Sequence, residues 1–170
     1  MKKKIIFIMN PISGTASKAG IPNLIDSTLD KELFEYEIKL TERAGHASEL
    51  ATEAKNNHAD IVVAVGGDGT VNEVARSLVH SDTALGILPC GSGNGLARHL
   101  LLPMNLRKSI EVINACKIND LDYGVINGHP FFCTCGMGFD AFVSMKFAES
   151  GKRGPISYAE NILREGLKYE

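Results

Sequence analysis

Three apolar runs, at residues 5–9, 61–65 and 85–89, each stop at a turn rich in glycine or asparagine. The turns read "NPISG" from Asn10, "GGDGT" from Gly66 and "PCGSGNG" from Pro89. The run at 61–65, IVVAV, is apolar at every position, the pattern of a parallel strand covered on both faces. Between the runs lie segments of helical period, with Ile21, Leu24, Ile25 and Leu29 on one face, then Leu50, Ala51 and Ala54, then Val71, Val74, Ala75 and Leu78. "FEYEIKLT" alternates instead, placing Phe34, Tyr36, Ile38 and Leu40 on one side, as in an edge strand with one solvated face. A strand–helix order of this kind predicts a parallel sheet with helices on both faces. Ligands of such sheets bind beyond the carboxyl ends of the strands, where all three turns fall.

Glycines in these turns allow close backbone approach, so that successive N–H groups converge on an anion. The helix expected to start near Thr70 points its positive end at the same place. One such turn reads as ordinary strand-to-helix punctuation, whereas three at one sheet edge would build a single phosphate-lined crevice. None is a Walker A loop, and none has the full dinucleotide-binding spacing. Asp68 puts a negative charge among groups suited to anions. It makes sense if Mg²⁺ accompanies a nucleotide, because the hydrated cation bridges carboxylate and phosphate oxygens. The simpler role is an Asx-type acceptor for the N–H groups that follow it, and both can hold at once.

A net charge of −2 gives no general attraction to nucleic acid, and no segment reads as a nucleic-acid module. "MKKKIIFIMNP" imitates a signal peptide, but its apolar run is short and ends in Asn-Pro, so a first strand is expected. No stretch has the length of a membrane-spanning helix, and the expectation is a cytoplasmic protein that touches membrane at most from its surface. Cys90, Cys116, Cys133 and Cys135 lack zinc-site spacing and are expected as reduced, mostly buried thiols.

After the amphipathic segment "NLRKSIEVINACKI" the rhythm changes to two short strands around Asn127-Gly128, a strong hairpin signal. The expected organisation is an α/β domain over 1–119 and the start of a β-rich second domain over 120–170. The second segment is below the size that usually holds its own core. It is expected to pack on the first domain, pair with another copy or open a longer domain. Unpaired edges at residues 121–135 leave room for a homo-dimer by strand exchange.

"GGDGTVNEVA", with "NPISG" before it and "LPCGSGNGLARHL" after it, resembles the diacylglycerol kinase catalytic domain family, which includes sphingosine and ceramide kinases and soluble bacterial lipid kinases. "TERAGHASELA" and "GFDA" resemble further family segments. The resemblance implies an α/β nucleotide-binding domain related to that of NAD kinases, and ATP- and Mg²⁺-dependent phosphorylation of a lipid hydroxyl. It implies that nucleotide phosphates are held by Asn10, Pro11, Ile12, Ser13 and Gly14 and by Gly66, Gly67, Asp68, Gly69, Thr70, Val71 and Asn72. Thr41 would lie beside the nucleotide, Ser92 takes the hydroxyl position of the third motif, and Asp68 would organise Mg²⁺ and water.

Family members run longer, and their second domain supplies an acidic general base. No motif assigns that base to Glu73, Asp122 or Asp140, for which surface or capping roles are expected. Arg98 and His99 are expected on a solvated helix face, His46 as a cap or surface residue, and "GKRGP" at 151–155 as a solvated loop. Expected partners are ATP and a lipid, with room for peripheral membrane contact. Two alternatives stand beside this reading. One is an NAD kinase-like phosphotransferase sharing the GGDG turn. The other is a truncated, non-catalytic nucleotide-binding module with weak or no kinase activity of its own.

Overall fold

A computed structural model of the chain describes residues 1–12 and 18–149. Four parallel strands, β1 (Lys3–Met9), β2 (Phe34–Leu40), β3 (Ile61–Gly66) and β4 (Ala84–Pro89), form one sheet in the order β2-β1-β3-β4. Helices α1 (Ile21–Thr28), α2 (His46–Asn56) and α3 (Asp68–Leu78) connect them, and α4 (Gly95–His99) and α5 (Leu106–Ala115) follow β4. The parallel α/β architecture expected from the sequence is the one observed.

Alternation along the strands divides the core in two. Ile6, Ile8, Val62, Ala64 and Ile87 face one way and pack on Ala47, Ala51 and Ala54 of α2, Val71, Val74 and Leu78 of α3, and Leu96 and Ala97 of α4. Ile5, Phe7, Met9, Val63, Val65 and Leu88 face the other way, against Ile21 and Ile25 of α1 and Ile110 and Ile113 of α5. Each large side chain so buried contributes about 1.5–3 kcal/mol. The unbroken apolar run of β3 follows from this double cover. β2 lies at the sheet edge, with Phe34 buried and Leu40 exposed, so burial fades along the strand toward its carboxyl end.

From β1 the chain passes to β2 on one side and to β3 on the other, so the order reverses between β1 and β3. Ladder bonds continue past the strand ends. Asn10 N–H donates to Val65 O at 3.1 Å, Thr41 N–H to Met9 O at 2.9 Å, and Cys90 N–H to Gly66 O at 2.8 Å. The three turns and Thr41 are thereby fixed at one edge, around the reversal where open α/β sheets form their crevice.

The Asn127-Gly128 signal is realised as an antiparallel hairpin of β5 (Gly124–Ile126) and β6 (His129–Phe131), followed by α6 (Phe139–Glu149). Both turn residues have positive φ, 49° and 80°. The hairpin packs back on α3: Arg76 Nε donates to Pro130 O at 2.9 Å, and the Tyr123 hydroxyl meets His80 Nε2 at 3.0 Å. Cys90 and Cys116 are partly buried but Cys133 and Cys135 are exposed, which corrects the expectation of mostly buried thiols. Both exposed cysteines lie on the irregular segment that leaves β6 after Phe131.

Candidate functional site

A cleft of about 490 Å³ opens at the carboxyl edge of the sheet. Its wall takes Asn10, Pro11 and Ile12 from the first turn, Thr41 from the end of β2, Gly67, Asp68, Gly69 and Thr70 from the second turn, and Ser92 from the third. Those nine are all among the residues singled out from the sequence. Gly66, Val71 and Asn72 are not on the wall. Gly66 ends β3, where a Cβ would collide with the Thr70 hydroxyl, and Val71 is buried in the core with its N–H donating to Gly67 O at 3.0 Å. Ser13 and Gly14, and the basic loop at 151–155, lie outside the described residues.

α3 begins at Asp68, two residues before the expected start, because Gly67 stays extended and acts as its N-cap. The helix therefore presents the backbone of its first turn, with the positive end of its dipole, to the cleft. The carboxylate of Asp68 does not serve the N–H groups that follow it. Asn94 N–H donates to its Oδ2 at 2.9 Å and Gly95 N–H to its Oδ1 at 2.6 Å, so Asp68 caps α4 from a distant turn. This corrects the local Asx-type reading: the third turn approaches closely enough to offer two N–H groups, and these outcompete the local ones. Bonds of N–H to an ionised acceptor are short and contribute about 1.5–3 kcal/mol each.

The third turn is clamped from within by Asn94, which is buried and left-handed at φ 55°. Its Oδ1 accepts from Gly91 N–H at 2.8 Å and its Nδ2 donates to Gly91 O at 2.7 Å. Gly91 also lies against Gly67, so that a Cβ at 91 would collide with the Gly67 Cα and stand 2.9 Å from Asn94 Oδ1. Second and third turns are thus packed backbone to backbone. Asn94 escaped the sequence reading because its work depends on a left-handed conformation that only the folded turn reveals.

Glu73 also reaches the cleft wall but is engaged in capping. Its Oε1 accepts from Gly45 N–H at 3.1 Å and its Oε2 from Ala47 N–H at 3.2 Å, holding the start of α2, as the expected capping role requires. Glu73→Ala removes both acceptors and is expected to destabilise the chain by about 1–2 kcal/mol in urea unfolding. His46 opens α2 and accepts on Nδ1 from Glu42 N–H at 3.1 Å, so it braces the loop before the helix. Arg98 and His99 are exposed on α4, with Arg98 Nε donating to Gly93 O at 2.9 Å.

Two cations at the cleft edge were not singled out in the sequence. Arg43 is on the wall and pairs with Glu49 at 2.7 Å, which lowers the Glu49 carboxyl and raises the guanidinium. Lys18 is buried, and its Nζ donates to Asn10 O at 2.5 Å, tying the first turn to its own exit. Burial pushes the Cys90 thiol up, and the nearby Lys18 charge offsets part of that.

No group of three His, Cys, Asp or Glu side chains that could hold a metal occurs among the described residues. Asp68 is a carboxylate on the cleft wall of the kind through which a hydrated Mg²⁺ could be held by way of water. Each Asp68 oxygen accepts one N–H and keeps a further acceptor position, so the residue can hold such an ion through water while it pins the third turn.

Fold and site together define a class: a doubly wound α/β domain whose cleft, at the reversal of strand order, is built mainly from turn backbone. Residues 4–126 match the model of the diacylglycerol kinase catalytic domain, and the chain belongs to that family. A Streptococcus pneumoniae protein named "Putative lipid kinase" is 33% identical over 167 residues, covering 95% of this chain and 56% of its own length. A Staphylococcus saprophyticus diacylglycerol kinase is 32% identical over 163 residues, covering 93% of this chain and 53% of its own. A crystal structure of a diacylglycerol kinase from Bacillus anthracis superposes with a TM-score of 0.65 at 26% identity, over 76% of this chain and 48% of that one. The chain thus spans about half the length of the relatives it matches.

Proposed function

We propose that the chain forms the nucleotide-binding half of an ATP- and Mg²⁺-dependent lipid kinase that phosphorylates a hydroxyl of a diacylglycerol-like or sphingoid-like acceptor. The division into 1–119 and 120–170 is part of this proposal. The observation that carries it is the convergence of three backbone turns and the α3 N-terminus on one cleft, in a member of the diacylglycerol kinase catalytic domain family. Phosphoryl transfer asks the protein mainly for positioning and charge neutralisation, and backbone donors on rigid strand ends supply both.

In this reading the first-turn backbone of α3 and the turn from Asn10 hold the phosphates, Thr41 flanks the nucleotide, and Ser92 offers a hydroxyl from the third turn. Mg²⁺, when bound near Asp68, supplies neutralisation of phosphate charge. Asp68 fixes the distance between second and third turns, and so the span of the phosphate site. With Glu73 occupied at the start of α2, the general base is assigned to no residue of the described chain.

The test is transfer of labelled γ-phosphate from ATP, with diacylglycerol, a sphingoid base and NAD as parallel acceptors. It is run on the 170-residue chain and on any longer product that contains it. Transfer to a lipid by the longer product is expected, with weak or no turnover by the chain alone. Transfer to NAD only would overturn the lipid reading.

A further inference from the structure

Helix α2 begins at a residue that cannot cap it. Gly45, its N-cap, has no side chain and sits in the left-handed region at φ 79°. The acceptor comes instead from α3, where Glu73 takes Gly45 N–H on Oε1 at 3.1 Å and Ala47 N–H on Oε2 at 3.2 Å. α2 does not need this carboxylate in order to lie on α3. Ser48 Oγ donates to Glu73 O at 2.9 Å, Lys55 Nζ donates to Ser77 O at 2.8 Å, and Ala47, Ala51 and Ala54 pack with Val71, Val74 and Leu78. The carboxylate acts on the loop just before the helix.

That loop, residues 41–44, is the part of the cleft wall that β2 delivers. At one end Thr41 N–H is bonded to Met9 O at 2.9 Å, and just past the other Gly45 N–H is bonded to Glu73. Unlike the three turns it carries no glycine, so Thr41, Glu42, Arg43 and Ala44 meet the cleft as a mixture of polar and apolar groups. Such a wall suits a nucleoside better than a phosphate. The phosphate-facing turns are held by other bonds, Asn10 N–H to Val65 O and Asp68 to the third turn.

We infer that Glu73 is a positioning residue for the nucleoside end of a bound nucleotide: by holding Gly45 it sets how far the loop at 41–44 stands from α3. Both oxygens are turned to α2, so Glu73 acts through the loop rather than on the reacting atoms. The inference rests on the nucleotide site proposed above and adds to it a division of labour between its two ends.

The test is calorimetric titration of ATP and of inorganic tripolyphosphate, both with Mg²⁺, into the 170-residue chain and its Glu73→Gln variant. The parent is expected to bind both, ATP more tightly. Gln has nearly the shape of Glu but sets an NH₂ against one of the two N–H donors, which releases the loop end. ATP affinity should fall about tenfold, the equivalent of one charge-assisted hydrogen bond, while tripolyphosphate affinity holds within about twofold. A general loss of stability would not separate the two ligands. Gly45→Ala strains the left-handed donor without touching Glu73, and its Cβ meets nothing within 4 Å. It should shift the ratio in the same direction, and it decides the matter if Glu73→Gln does not fold. A parent that binds neither ligand overturns the nucleotide site and this inference with it. A parent that binds both, with a ratio unchanged in the variant, overturns only the role of Glu73, as does a parent that binds ATP but not tripolyphosphate.

Discussion

Asp68→Ala is expected to abolish most phosphoryl transfer in a catalytically competent longer product, by about a hundredfold or more, and to loosen the fold of the 170-residue chain. The structural part follows from the two N–H groups it serves. Losing both acceptors leaves Asn94 N–H and Gly95 N–H without their partner, at about 1.5–3 kcal/mol each before water replaces some of it. The turn then drifts from Gly67, and a displacement of about 1 Å at a phosphoryl site is enough for a hundredfold loss. Asp68→Asn separates the two roles. It keeps one acceptor for the turn but turns an NH₂ toward the other donor, and it removes the charge proposed to hold Mg²⁺. Its nucleotide affinity should lose the Mg²⁺-dependent increment and keep the Mg²⁺-independent part. An Asn variant with full Mg²⁺ dependence and full turnover would show that Asp68 is only a cap.

The second large effect is expected from Gly91→Ala. The added methyl meets the Gly67 backbone and the clamping oxygen of Asn94, and neither is the far end of a flexible side chain. Overpacking between backbones costs about 1–3 kcal/mol or more, and here it must separate the second and third turns. Both the urea midpoint and ATP affinity should fall together. Gly69→Ala is the contrasting substitution, because a Cβ there meets nothing within 4 Å and points into open space at the cleft wall. Stability should be unchanged, while a phosphate that needs close backbone approach is held at least about tenfold more weakly. Equal effects of the two alanines on stability would contradict the packing described at Gly91.

Most of the fold was legible because double burial writes itself into composition. The apolar run at 61–65 and the alternating run at 34–40 identified a central and an edge strand, and their places in the sheet agree. Helix faces followed from spacing: Val71, Val74, Ala75 and Leu78 are all buried. The site was legible at the level of turns, since glycine and asparagine at strand ends mark where backbone can face a ligand. What those turns do to one another was not. The Asp68 carboxylate bridges residues 26 apart in sequence, and Glu73 caps a helix 28 residues upstream of it, contacts that no local pattern encodes.

The most direct test of the central claim, that the cleft formed by the three turns binds nucleotide, is calorimetric titration of ATP into the 170-residue chain with and without Mg²⁺, repeated on Gly69→Ala. The expected result is saturable binding that Mg²⁺ strengthens, and a loss of about tenfold or more in a variant that melts at the parent's temperature. Absence of saturable binding at millimolar ATP, or equal affinity in parent and Gly69→Ala, would contradict it.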